Sequence, residues 1–72
     1  MNRLGERIKR IREHKGLQLN DLARKAGITP SALSQIEKAK TFPSIITLKQ
    51  IADNLQTTVG ELLGENESLF NN

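Results

Sequence analysis

Leu4, Ile8 and Ile11 recur at i, i+4 and i+7, the stripe of an amphipathic helix, with Arg3, Arg7, Lys9 and Arg10 largely around it. The spacing predicts a first helix over Asn2 to Lys15, ended by Gly16. Leu22, Ala23 and Ala26 share one face of a shorter segment from about Leu19 to Ala26, and Gly27 supplies the left-handed residue on which helices often end. Thr29-Pro30 then marks a new start. The threonine oxygen can accept from free backbone N–H groups of the first turn, and proline suits the first helical position, where its missing donor is not needed. A third helix follows to about Lys38. Only Gly27 to Thr29 separate the second helix from the third, so the two must turn sharply and pack against each other.

Beyond a polar loop, Ala39 to Pro43, Ser44 can cap a fourth helix in which Leu48, Ile51, Ala52 and Leu55 are spaced i, i+3, i+4 and i+7. Thr58 to Glu61 has the spacing of a capping box ahead of Leu62-Leu63, which predicts a short fifth helix from about Val59 to Leu63. The remainder is polar. Residues 1–64 therefore read as one domain and residues 65–72 as a C-terminal tail or the start of a linker.

Seventy-two residues allow one small core and leave little room for an active-site cleft. Without cysteine, neither a disulfide framework nor a thiolate metal site holds the fold. The longest apolar runs, such as Ile45-Ile46 and Leu62-Leu63, are two residues, too short for a membrane span or a signal segment, and a cytoplasmic location is expected. Charge is unevenly placed: residues 1–49 hold all eleven Lys and Arg against four acids, a net +7, while residues 50–72 carry four acids and no base, a net −4. A basic front and an acidic back favour a polyanion approaching one side, although a solvated basic helix gives the same balance.

The informative stretch is Leu19 to Glu37. Leu22, Ala23, Ala26, Gly27, Ile28, Leu33 and Ile36 are the positions that two crossing helices joined by a tight turn would bury. With IKRIREHKGL in the first helix, LARKAGITPSALSQIEK through the pair and FPSIITLKQIADNLQTTVGELL through the last two, residues 4–63 resemble the Cro/C1-type helix-turn-helix family, the phage-repressor-like XRE regulators. That resemblance implies an all-α, compact five-helix, lambda-repressor-like DNA-binding domain, with the helix-turn-helix at helices two and three. It further implies a transcriptional regulator, expected to be a repressor, that binds a pseudo-palindromic double-stranded operator as a homodimer, without cofactor, metal or membrane.

The expected reading surface follows from helix geometry. With Leu33 and Ile36 inward, Ser31, Ser34, Gln35 and Lys38 fall on the opposite side of the third helix and Pro30 lies at its tip. A major groove accepts one helix, and glutamine can pair bidentately with adenine, which makes Gln35 the foremost base reader. By the resemblance, Pro30, Ser31 and Gln35 occupy base-contacting positions and Thr29 a phosphate-near position at the helix start. Pro30 can offer only an apolar contact or a preset helix start. Where the family often holds a phosphate with glutamine this chain has Leu19, so Gln18, Asn20 and the backbone N–H groups of that turn are candidates. Lys38, Lys40, Thr41 and Phe42 form a second candidate phosphate clamp, through side-chain charge and main-chain N–H groups, with Phe42 expected as a core anchor. Arg12 and Glu37 match family positions that often form an ion pair between the first and third helices. Ala39 and Gln56 stand where the family frequently uses glycine to leave a helix, which implies local strain or an altered helix-end geometry within the same fold.

Other chemistries find little support. His14 is the single histidine and has no clustered carboxylates, so a metal site is not expected; Ser31 and Ser34 lack a base in any triad pattern, so no enzyme is expected. Two alternatives share the fold. A protein-binding adaptor or antitoxin would need large apolar anchors on the third helix, and a longer regulator would continue past GENESLFNN into a ligand-sensing domain.

Overall fold

A computed structural model describes residues 3–65, which fold into five helices: α1 Leu4–His14, α2 Leu19–Lys25, α3 Pro30–Glu37, α4 Ile45–Asn54 and α5 Val59–Leu62. Residues 66–72 of the expected tail, and the expected helix start at Asn2, lie outside the described residues. Each helix stops within a residue or two of the end its sequence pattern sets.

Hydroxyl caps begin three of the helices. Thr29 Oγ1 accepts from the Ala32 N–H at 3.0 Å, Ser44 Oγ from the Thr47 N–H at 3.1 Å and Thr58 Oγ1 from the Glu61 N–H at 3.0 Å. Each such cap stabilises its helix by about 1 kcal/mol. At α5 the capping box is only half formed, because the Thr58 hydroxyl donates to Glu61 Oε1 at 3.5 Å. No side-chain cap begins α1 or α2.

Helix ends share one geometry. Gly16 and Gly27 turn the chain out of α1 and α2 at φ 72° and 78°, while Ala39 and Gln56 do the same after α3 and α4 at φ 61° and 59°. Around Ala39 the Ala39 N–H donates to the Ile36 carbonyl at 3.1 Å and the Lys40 N–H to the Gln35 carbonyl at 2.9 Å. The paired bonds form a Schellman closure, repeated where Gln56 and Thr57 donate to Asp53 and Ala52. Both side chains therefore sit in left-handed backbone at a cost of about 1–2 kcal/mol.

A single cluster fills the centre. Ile8 of α1, Leu22 and Ala23 of α2, Leu33 of α3, Ile51 and Leu55 at α4 and Leu62 of α5 are wholly buried, with Leu4, Ala26, Ile36, Leu48 and Ala52 nearly so. Burying one such Leu or Ile contributes roughly 1.5–3 kcal/mol. Within this arrangement α2 packs on α3 and α4, α1 on α3 and α5, and α4 on α5. Ile11, Leu17, Leu19, Ile28 and Val59 are partly buried at its margin.

Phe42 corrects an expectation. The residue is 56% exposed, whereas Pro43 is buried. The chain runs without helical structure from Phe42 to the Ser44 cap, a residue before proline is steered toward extended backbone, and neighbouring side chains then point to opposite sides, so anchoring Pro43 turns Phe42 outward. Ile45 and Ile46, in the first turn of α4, are exposed as well. No helix among the described residues is long and apolar enough to cross a membrane.

Candidate nucleic-acid interface

Two seats hold α3. Beneath it, Leu33 is fully buried and Ile36 nearly so, which fixes the helix's rotation about its axis. At its C-terminal turn, Arg12 of α1 grips Glu37: Nε donates to Oε2 at 2.7 Å and Nη2 to Oε1 at 3.0 Å. The third arm of the same guanidinium donates to the Leu17 carbonyl at 2.9 Å, so one side chain ties α1 to α3 and to the segment leading into α2. Both side chains are nearly sequestered, at 10% and 6% exposure. The hydrogen bond to Glu37 raises the Arg12 pKa above its ordinary value, against the opposing effect of burial. The Arg12 guanidinium thus holds its charge, in the bidentate geometry that makes such contacts strong.

The outward side of α3 is polar. Ser31, Gln35 and Lys38 are exposed and Ser34 is half-buried. At about 100° per residue these four span roughly a 100° arc opposite Leu33 and Ile36. Pro30 is exposed at the N-terminal tip beside Thr29, whose hydroxyl is engaged as the helix cap. Lys38 and Lys40 are exposed, and neither has an ion pair among the described residues, unlike Arg24 with Asp21 at 3.1 Å or Lys49 with Asp53 at 2.6 Å.

Backbone donors sort the loop residues further. The N–H groups of Lys38, Ala39 and Lys40 are spent on Ser34, Ile36 and Gln35 in closing α3, so Lys38 and Lys40 can offer a ligand only their ammonium groups. Thr41 and Phe42 are exposed, and among the described residues their N–H groups make no bond to the chain. At the start of α2, Gln18 and Asn20 are exposed and Leu19 is partly buried. The first intrahelical bonds there come from Asp21 and Leu22 to the Gln18 carbonyl, which leaves the Leu19 and Asn20 N–H groups without a partner among the described residues. A clamp residue sought as a core anchor, Phe42, stands instead in solvent beside Lys40 and Thr41.

Sequence reasoning passed over Gly5. It is buried in α1 against the end of α3, and a Cβ there would collide with the Ile36 carbonyl and lie 2.5 Å from the Glu37 carbonyl oxygen. A glycine inside an otherwise regular amphipathic helix was the available signal, since such a position usually has a packing reason.

The family model for helix-turn-helix domains matches residues 8–62, from the middle of α1 to the last residue of α5. The chain belongs to the Cro/C1-type helix-turn-helix family. Among its relatives in that family is the transcriptional regulator SinR of Bacillus licheniformis, 43% identical over 65 residues that make up 89% of this chain and 59% of that protein. The chain thus spans less than two thirds of that relative's length. Its helix-turn-helix fold is shared with a crystal structure of SinR, the master regulator for biofilm formation, in complex with DNA, at 43% identity and a TM-score of 0.78, covering 83% of this chain and 97% of that one. It is shared too with the P22 c2 repressor in complex with a synthetic operator, at 28% identity and a TM-score of 0.82, covering 88% and 96%.

Proposed function

We propose that this chain is the sequence-specific DNA-binding domain of a transcriptional repressor, which inserts α3 into the major groove of a double-stranded operator. The observation that carries the reading is the division of α3 into two sides, with Leu33, Ile36 and Glu37 held by the rest of the domain and Ser31, Ser34, Gln35 and Lys38 turned away from it. Hydroxyl and amide groups on a helix of this kind match the donor and acceptor pattern of base edges, and Gln35 can address an adenine through two bonds. Pro30 offers an apolar edge at the helix tip. Lys38 and Lys40, without an ion pair among the described residues, the Thr41 and Phe42 N–H groups, Thr29, and the open first turn of α2 at Gln18, Leu19 and Asn20 flank that helix as phosphate contacts. The DNA complexes of SinR and of the P22 c2 repressor support the same partner for this chain.

Two copies reading successive major grooves would sit on a pseudo-palindromic site with half-sites about 34 Å apart. Residues 1–64 act as the DNA-binding unit, and residues 65–72 are its polar C-terminal tail or the start of a linker. An adaptor that binds protein through α3 would need large apolar anchors there, and the large apolar groups exposed among the described residues, Phe42, Ile45, Ile46 and Leu63, all follow α3 instead.

Selection from a library of random-sequence duplexes at two salt concentrations tests the proposal. Enrichment of a two-fold symmetric sequence, bound more weakly as salt rises, is the expected result. Retention of all duplexes alike would reject base reading, and a single unpaired half-site would reject the homodimer.

A further inference from the structure

α1 meets the last turn of α3 at two points seven residues apart. One is the Arg12–Glu37 pair; the other is Gly5, whose backbone stands directly against α3 carbonyls. We propose that Gly5 is a positioning residue that sets the aim of α3 and, through it, the base selectivity of the chain. The inference rests on the DNA-reading function proposed above.

A methyl group at residue 5 has no soft neighbour to displace. It would lie 2.5 Å from the Glu37 carbonyl oxygen and 2.8 Å from the Glu37 carbonyl carbon, where ordinary contact begins near 3.4 Å. These are main-chain atoms of the turn that carries Gln35 and Lys38, so relief comes from sliding that turn and α1 apart by about 1 Å. α1 itself is held by Leu4 and Ile8 in the core. Eight residues of α3 span about 12 Å, so a 1 Å shift at one end tilts the helix by roughly 5°.

Such a tilt separates the two kinds of DNA contact. Paired hydrogen bonds from a glutamine amide tolerate only a few tenths of an ångström in length, roughly 2.7–3.2 Å, and lose their alignment with a 1 Å shift. Attraction between an ammonium and a phosphate falls as the inverse of distance, by about a fifth between 4 and 5 Å. Base discrimination is therefore the property that Gly5 protects, and the attraction of the Lys38 and Lys40 ammonium groups for phosphate is nearly indifferent to it.

The test compares the parent chain with Gly5→Ala on two probes, the duplex most enriched in the random-library selection and a scrambled duplex of the same composition, each titrated at two salt concentrations. Thermal unfolding followed by circular dichroism gives the folded fraction to which both affinities are normalised. In Gly5→Ala the preference for the enriched duplex should fall about ten-fold or more, with the salt slope unchanged and scrambled-duplex affinity lowered far less than that of the enriched duplex. An unchanged preference overturns the proposal, and so does an equal loss on both probes, which is what a purely structural role gives. Should Gly5→Ala not fold, it is repeated with Gln56→Gly, which relieves backbone strain at the far end of α4. Failure to fold there too overturns the proposal, because the glycine then serves the fold and not the aim of α3. A parent chain with no preference between the probes is a separate outcome: it rejects base reading itself and this inference with it.

Discussion

Replacing Arg12 with leucine removes three hydrogen bonds at once, two to Glu37 and one to the Leu17 carbonyl. What matters energetically is what remains. The Glu37 side chain is 6% exposed, so the variant leaves a carboxylate with little water and no counter-charge. Breaking a buried pair from one side typically costs about 3–5 kcal/mol, whereas exposed pairs are worth about 0–1 kcal/mol. For a domain of this size each 1 kcal/mol corresponds to a shift of about 4–8 °C in Tm, so Arg12→Leu should lower Tm by at least about 12 °C. Removing both partners should behave differently. In Arg12→Leu/Glu37→Leu no charge is stranded, and apolar replacement of a buried pair is often neutral or stabilising. Urea unfolding of the parent, both single variants and the double variant completes the cycle. A loss below about 1 kcal/mol in Arg12→Leu would refute the reasoning, because it would class the pair with solvated surface pairs despite its burial. A double variant as unstable as the singles would refute the stranded-charge account in a different way, by tracing the loss to packing.

Other consequences can be checked with the same protein. Gln35→Ala should lose about 1–3 kcal/mol of discrimination at one base pair per half-site, read by titrating the enriched duplex and its single-base variants, and unaltered preference at every position would remove Gln35 as a reader. Lys40→Ala should weaken binding to all duplexes alike and reduce the slope of log affinity against log salt by about 1, and an unchanged slope would take Lys40 off the phosphate. Ala39→Gly and Gln56→Gly should each raise stability by roughly 0.5–1 kcal/mol, since relief of about 1–2 kcal/mol of left-handed strain is partly offset by the larger unfolded-state entropy of glycine. Gln56→Gly also removes the acceptor of the Lys15 ammonium, but that hydrogen bond is long, at 3.4 Å, and exposed, so its absence subtracts little. A fall in Tm for either variant would contradict the positive φ at that residue.

Most of the fold was legible in the sequence because local and tertiary signals agree. Thr29-Pro30 and Ser44 mark helix starts through their own side chains, Gly16 and Gly27 mark helix ends through backbone freedom, and the i, i+3, i+4 recurrence of Leu48, Ile51 and Ala52 states which face is inside. The polar side of α3 was legible for the same reason: once Leu33 and Ile36 point inward, helical period leaves no other place for Ser31 and Gln35. Phe42 misled because hydrophobicity is a one-way rule. A large apolar side chain in a loop is buried only if the backbone turns it inward, and there the inward position goes to Pro43. Ile46 is outward because Leu48, Ile51 and Ala52 define the buried face of α4, whereas Ile45 shares that face by period and is exposed as the first residue of the helix, where the core ends. Gly5 was invisible to a periodicity argument, which counts side chains and has no term for the absence of one where two backbones meet.

The last turn of α3 brings these threads to one residue. Glu37 offers its carboxylate to Arg12 and its carbonyl to the space beside Gly5, while the N–H groups of Lys38, Ala39 and Lys40 close the helix behind it. Under the proposed function, stability and aim are set on the inner side of α3, and base reading falls to the outer side two residues earlier, at Gln35. That separation gives the substitutions distinct signatures. Loss of Arg12 should lower unfolding free energy and base discrimination together, because the same bonds hold the turn and orient it. Loss of Gln35, an exposed side chain with no bond to the rest of the chain among the described residues, should lower discrimination alone. If Gln35→Ala proved as destabilising as Arg12→Leu, the outward side of α3 would be carrying part of the fold, and its availability to a groove edge would be the premise at fault.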